Sequence, residues 1–293
     1  MKFWMAAAAA LSIPLAIAAC GGLAFTAANA PAWFGDFERD AGRSYGPGSR
    51  QRLDVYAPPD ARDRPIIVFW YGGSWENGRK SQYRFVGAAL AEAGFVAVIP
   101  DYRLFPEVKF PGFVDDGAAA LAWVVSHAAE IGGDPRRVYV AGHSAGAHLA
   151  AMLAYDTARL EKHGLARDTV KGFIGLSGPY ALDPDTEKLN TIFAAPYAPS
   201  DWQPVELVEP GAPPALLLHG EADRVVWVSH ARVMSDALIS AGVPVTLKTW
   251  AGRGHRDTVA AFTPVAPRTL PVLAEIQRFV GEGEIRGGVA TAH

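Results

Sequence analysis

Apolar runs recur along this chain with two alternating periods. Ile66–Tyr71 and Phe95–Ile99 are continuously apolar, and Val138–Ala141, Val170–Leu176 and Ala215–His219 are mostly so. Runs of this length suit strands buried on both faces of a sheet. Between them, Tyr83–Ala93, Gly112–Ile131 and Ala147–Leu153, and later Ser229–Ala241 and Leu270–Val280, carry helical spacing. Arg52–Tyr56 and Val245–Trp250 complete the predicted strands. Pro58-Pro59 closes the first of these, and Gly132-Gly133-Asp134-Pro135 stops the long helix, whose first turn holds Asp115 and Asp116 where the helix dipole favours carboxylates. Strands alternating with helices predict an α/β fold: a mostly parallel sheet with helices on both faces. The rhythm fails over residues 178–213, which hold seven prolines and several aromatics. That stretch is expected to form a small irregular cap over the strand ends, within a domain spanning residues 49–283.

The N-terminus departs from this pattern. No charged residue follows Lys2 until Asp36, and Met5–Ala19 is a mostly apolar, alanine-rich run. Residues 1–30 therefore read as a secretory signal peptide, and residues 31–48 as an N-terminal tether or wrap. Two processing points compete: a small-residue site at Ala28-Asn29-Ala30, and Ile17-Ala18-Ala19-Cys20, which resembles a bacterial lipobox. Retention as an uncleaved anchor is a third reading, although Pro14, Gly21 and Gly22 interrupt the span. Each places the folded part outside the cytoplasm: periplasmic or secreted, or tethered to a membrane through the N-terminus. Cys20 is the only cysteine, so no internal disulfide can form.

The chemistry concentrates at Gly142-His143-Ser144-Ala145-Gly146, between a predicted strand and a predicted helix. A serine framed by glycines at such a turn is a nucleophile elbow. The turn is too sharp for flanking side chains, so residues without a Cβ are needed there. A serine hydroxyl needs a base, and the base an orienting acid. Asp223 follows the strand Ala215–His219, and His255 follows the strand Val245–Trp250, so all three groups fall at one sheet edge in the order Ser, Asp, His. Glu221 is the rival acid, placed less deeply in its loop. His143 adjoins the serine, but neighbours across a sharp turn point in different directions. His148 reads as a packing or hydrogen-bonding residue, and His219 as a satisfied core histidine. An oxyanion needs fixed N–H donors. Ala145, next to the serine, supplies one, and the glycine-paired loop Tyr71-Gly72-Gly73-Ser74-Trp75 is placed to supply the others.

Of 293 residues, 50% are hydrophobic and 19% charged, enough for one large core. The net charge of −3 is close to neutral and the sequence shows no basic stripe, which argues against a nucleic-acid partner. No histidine or cysteine pair has metal-ligand spacing, so neither metal nor cofactor is expected.

The segments Tyr71–Gly78, Asp101-Tyr102-Arg103-Leu104, Gly132–Val138 and the elbow through Ala151 resemble those of α/β-hydrolases of the hormone-sensitive-lipase-like carboxylesterase group, near its kynurenine formamidase, feruloyl esterase and prenylcysteine methylesterase branches. The similarity runs from about residue 50 to residue 281. It implies the α/β-hydrolase fold, cleavage of a small-molecule ester through an acyl-enzyme, and the backbone N–H groups of Gly73, Ser74 and Ala145 as oxyanion donors. The family motif usually begins with histidine where Tyr71 stands, and some branches carry glycine where Ser74 stands. Asp101 matches a structural position. Small or medium esters are the expected substrates, with Trp75 and Tyr180, and beside them Phe105, Phe193, Tyr197 and Trp202, as pocket residues. Amide hydrolysis by the same groups, and a non-catalytic binding protein on the same fold, are the competing readings.

Overall fold

The structure, a computed structural model, describes residues 25–183, 186–263 and 270–288. The expected signal segment Met5–Ala19 and Cys20 lie outside the described residues. Among those described, the strands are β1 (Glu38–Ser44), β2 (Arg52–Ala57), β3 (Arg64–Trp70), β4 (Val96–Pro100), β5 (Gly133–His143), β6 (Val170–Leu176), β7 (Ala215–Gly220) and β8 (Val245–Trp250). They form one sheet in the order β1-β2-β4-β3-β5-β6-β7-β8. β2 runs antiparallel to both its neighbours, and every pair from β4 to β8 is parallel.

The register explains why the central strands are apolar throughout. Tyr56, Ala97, Ile67, Tyr139 and Gly172 form one row across the sheet, and Val55, Val98, Val68, Val140, Phe173, Ala215 and Val245 form the next. Successive rows face opposite sides. The first row meets α1 (Arg84–Glu92) and α9 (Val272–Gly288): Tyr56 lies against Gly87, and Phe279 packs on Tyr139 and Gly172. From the second row, Phe173 meets Tyr155 at the end of α3 (Ala145–Tyr155), with α2 (Gly112–Ser126) packed beyond it through Gly117 on Leu149. Both faces are thus covered, as the hydrophobic runs require.

α2 ends at Ser126, one turn before the expected Ile131, and the last helix extends past the expected Val280 to Gly288. Residues 31–48, expected as a tether, contain β1. Its sequence, Glu38-Arg39-Asp40-Ala41-Gly42-Arg43-Ser44, is polar because an edge strand needs no apolar face when solvent lies beside it. A bulge at Gly42, with φ +79°, lets its N–H reach the buried Asp54 carboxylate at 2.9 Å. Arg39 and Lys80 hold the same carboxylate at 2.6 and 2.5 Å.

The 178–213 segment holds short helices α5 (Glu187–Ile192) and α6 (Pro199–Trp202), then a 3-10 turn Pro204–Leu207. Pro199 and Pro204 each start an element, where a missing N–H is harmless. Between strand and helix pairs lie α4 (Thr157–Lys162), α7 (Ser229–Ser240) and α8 (Asp257–Ala260).

Candidate active site

The turn from β5 to α3 carries Ser144 at φ 56°, ψ −125°, a conformation that costs a non-glycine residue on the order of 1–3 kcal/mol. Close backbone packing maintains it. A Cβ on Gly142 would fall 2.2 Å from the Gly146 carbonyl oxygen, and one on Gly146 would fall 2.1 Å from the Trp70 carbonyl oxygen. Both glycines are thus fixed by contact between main chains. The strained serine projects its hydroxyl from the carboxyl end of the sheet.

His255 lies in the loop after β8, and Asp223 in the loop after β7. The His255 imidazole bridges them, with Nε2 2.9 Å from Ser144 Oγ and Nδ1 2.8 Å from Asp223 Oδ2. An ionised carboxylate only accepts, so the imidazole carries its proton on Nδ1 and leaves Nε2 free to accept the serine O–H. Burial opposes the Asp223 charge. Hydrogen bonds from His219, His255 and the N–H groups of Val226 and Val225 outweigh it and hold the carboxyl well below the usual carboxylate range. Glu221 turns away, and accepts from the Thr249 hydroxyl at 2.7 Å.

The Tyr71–Trp75 loop reaches the nucleophile directly: a Cβ on Gly72 would fall 2.8 Å from Ser144 Cβ. Gly73, Ser74 and Trp75 all have positive φ (139°, 54° and 58°), and the Gly73 carbonyl accepts from the Glu76 and Asn77 N–H groups. Three left-handed residues in succession curl the main chain back on itself beside Ser144. Ala145 begins α3 directly after the serine. Tyr71, where the resembled family has histidine, anchors this loop from beneath. Its hydroxyl donates to Asp101 at 2.8 Å and accepts from Arg50 at 2.8 Å, while Arg50 also donates to the Gly78 carbonyl at 2.7 Å and the Lys80 N–H to Asp101 at 2.7 Å.

The expected pocket residues differ in placement. Trp75 is buried, edge-on to His148 and Phe193 with ring centroids 5.2 and 5.0 Å apart. Phe193 packs on Trp202 of α6, whose carbonyl accepts from His148 Nε2 at 2.7 Å. The cap therefore closes on Trp75 and on α3. Tyr180 is fully enclosed instead, edge-on to Phe173 of β6 with its ring against Gly175 and Gly178. Its position just past the end of β6 makes it part of the sheet's packing, and it presents no surface to a substrate. Tyr197 is half-exposed and packs edge-on to Phe110. Among the described residues, no cluster of three His, Cys, Asp or Glu side chains could hold a metal ion.

Three histidines have more definite surroundings than sequence reasoning gave them. His219 Nε2 lies 2.9 Å from the Val226 carbonyl and 3.3 Å from Asp223 Oδ2, so it braces the acid. His148 ties α3 to the cap. His143 Nε2 lies 2.9 Å from the His255 carbonyl oxygen. Burial pushes His143 down to about 3 and His148 down to about 4, so both are neutral at ordinary pH. Sequence offers one signal for them: each lies within four residues of a triad position.

Fold and site geometry define an α/β-hydrolase. Residues 53–238 match the BD-FAE family model, and the chain belongs to that family. It is 30% identical over 246 residues to an isoprenylcysteine alpha-carbonyl methylesterase of Arabidopsis thaliana, covering 75% of this chain and 58% of that one. It is 31% identical over 220 residues to esterase LipQ of Mycobacterium tuberculosis, covering 68% and 52%. The chain thus spans little more than half the length of these relatives. Esterase 2 of Thermogutta terrifontis, also solved with butyrate and with propionate bound, superposes in its apo form with a TM-score of 0.70 at 27% identity, over 86% of this chain and 95% of that one. Esterase B of Lactobacillus rhamnosis shares the fold, with a TM-score of 0.77 over 94% and 96% at 20% identity.

Proposed function

We propose that this protein is a serine hydrolase that cleaves small or medium carboxylic esters through a Ser144–His255–Asp223 triad. One observation carries the reading: a single imidazole lies within hydrogen-bonding distance of both the strained serine hydroxyl and the buried carboxylate. His255 Nε2 takes the Ser144 proton as Oγ attacks the ester carbonyl. Asp223 stabilises the imidazolium that forms and fixes its tautomer. The N–H groups of Gly73, Ser74 and Ala145 face the developing oxyanion, each such donor being worth roughly 10²–10³ in rate. His255 returns its proton to the departing alkoxide oxygen. Water, deprotonated by the same imidazole, then hydrolyses the acyl-enzyme and releases the acid.

The kinship with proteins named as esterases and methylesterases supports an ester over an amide. A limited acyl length is supported by Trp75, buried against Phe193 at the end of the Tyr71–Trp75 loop, and by the propionate and butyrate bound to the Thermogutta esterase. The test is hydrolysis of p-nitrophenyl esters from C2 to C16 by the native protein and by Ser144→Ala. The variant is expected to lose about 10⁶ in kcat, with the native optimum at C2 to C8. Retention of most activity in Ser144→Ala would refute the triad, and an optimum at C16 would refute the size range.

We further propose export, with processing upstream of residue 25 at the lipobox-like Cys20 and attachment to a membrane there. Contacts of the segment just before Pro31 support this choice over cleavage after Ala30. Asn29 Nδ2 donates to the Ser81 and Gln82 carbonyls at 3.2 and 3.1 Å, and its Oδ1 accepts from the Phe85 N–H at 3.0 Å. Phe25 packs on Tyr83 with ring centroids 5.5 Å apart. Cleavage after Ala30 would remove both residues from the fold. Intact mass of the mature protein decides it: an N-terminus at Pro31 would overturn the proposal.

A further inference from the structure

We infer that His143 is a positioning residue that locks the base loop, the nucleophile and the oxyanion loop into one unit; the inference rests on the triad reading above. A carbonyl oxygen only accepts, so the 2.9 Å contact with the His255 carbonyl places the His143 proton on Nε2 and makes that nitrogen the donor. Nδ1 is then a bare acceptor, buried and without a hydrogen-bond partner. It lies 3.1 Å from the point where a Cβ on Gly72 would sit. The ring therefore fills the space between the Gly72 main chain and the His255 main chain, 4.8 Å from the His255 ring between centroids.

The connectivity makes this contact consequential. Ser144 Oγ meets the His255 side chain, the His255 carbonyl meets the His143 side chain, and His143 is bonded to Ser144. These links close a ring through the two reacting groups, so neither can shift without breaking one of them. The other anchors nearby hold flanking residues instead. The Ala222 N–H donates to the Arg253 carbonyl at 2.8 Å, the Gly254 N–H to Asp257 at 2.6 Å, and Ser177 meets Thr258 at 3.0 Å. None of them joins His255 itself to the elbow. Displacement of a reacting group by about 1 Å can cost on the order of 10² in rate, which sets the scale for losing the tie.

Three substitutions separate the tie from mere space-filling. His143→Phe keeps the ring and removes the donor. His143→Gln places an amide N–H near the Nε2 position, while His143→Asn places one near Nδ1, too short to reach the His255 carbonyl. kcat and KM for p-nitrophenyl acetate, the rate of labelling by a fluorophosphonate, and the melting temperature are measured for each. For His143→Phe and His143→Asn, kcat and labelling rate are expected to fall about 10–100-fold with KM within about threefold. His143→Gln is expected to recover kcat to within about fivefold of the native protein. Native kcat in His143→Phe, or in His143→Asn should the phenylalanine variant not fold, would overturn the inference. So would equal losses in His143→Gln and His143→Asn at native-like melting temperatures. Ser144→Ala, run alongside, separates the two readings. If it is inactive, an adverse result removes only the role of His143; if it keeps its activity, the triad and the tie fall together.

Discussion

The elbow and the cap lie on the same end of the sheet and are held by opposite means. At the elbow, main chain packs on main chain: Gly142 on Gly146, Gly146 on Trp70, Gly72 on the His143 carbonyl. Nothing there can move without a clash of backbone atoms. In the cap, aromatic side chains packed on one another carry much of the contact. Phe193 rests on Trp75 and Trp202 on Phe193, the Trp202 carbonyl accepts from His148, the Phe110 N–H donates to the Ile192 carbonyl at 3.0 Å, and an ion pair joins Lys188 to Glu76 at 2.7 Å. Aromatic rings exchange neighbours at modest cost, and buried backbone does not. The proposed reacting groups thus lie in the stiff part, and the proposed substrate-facing surface in the adaptable part.

Substitutions that test this contrast differ in scale. Asp223→Asn should lower kcat by about 10⁴, because an amide can stabilise the wrong imidazole tautomer. A loss under tenfold would remove Asp223 from the stiff unit. Gly72→Ala is expected to lose roughly 10²–10³ in kcat with little change in KM, as the added methyl displaces the oxyanion loop; native kcat would show that the loop yields like the cap. Phe193→Ala should change kcat/KM for C2 esters by only a few-fold and extend the usable chain length. An unchanged chain-length profile would dissociate the cap from selectivity.

Acid should loosen the structure through the two buried histidines. Both have folded pKa values below the ordinary 6.5, at about 3 for His143 and about 4 for His148. The unfolded chain therefore binds more protons in the interval between, and stability present above pH 6.5 is lost as pH falls towards 4. Each histidine contributes up to about 1.4 kcal/mol per pH unit there. Melting temperature against pH checks this. In His148→Gln the decline should be shallower by one proton, and an unchanged slope would show that His148 does not stay neutral in the fold.

Much of this was legible in the sequence where chemistry and topology coincide. Ser144, Asp223 and His255 each follow a strand recognisable from its residues, so the strands alone align them at one edge. β1 was hidden because its polar residues match a linker in composition; only its pairing with β2 and the ion pairs on Asp54 reveal a strand. Tyr180 was misread because a cap aromatic and a core aromatic look alike in sequence, and the difference lies in its packing on Phe173. The tie from His143 to His255 was equally invisible, since it joins residues 112 positions apart through a main-chain carbonyl that no side-chain pattern records.

The charged edge strand also bears on how the protein behaves at high concentration. A free sheet edge invites another chain to add to it, and charges, a bulge and local twist discourage that. β1 sets Arg39, Asp40 and Arg43 along the outermost strand and interrupts its register at Gly42. An incoming strand would meet mismatched hydrogen-bond spacing and would have to strip water from those charges. The polar sequence that disguises β1 as a linker thus also guards the sheet against aggregation.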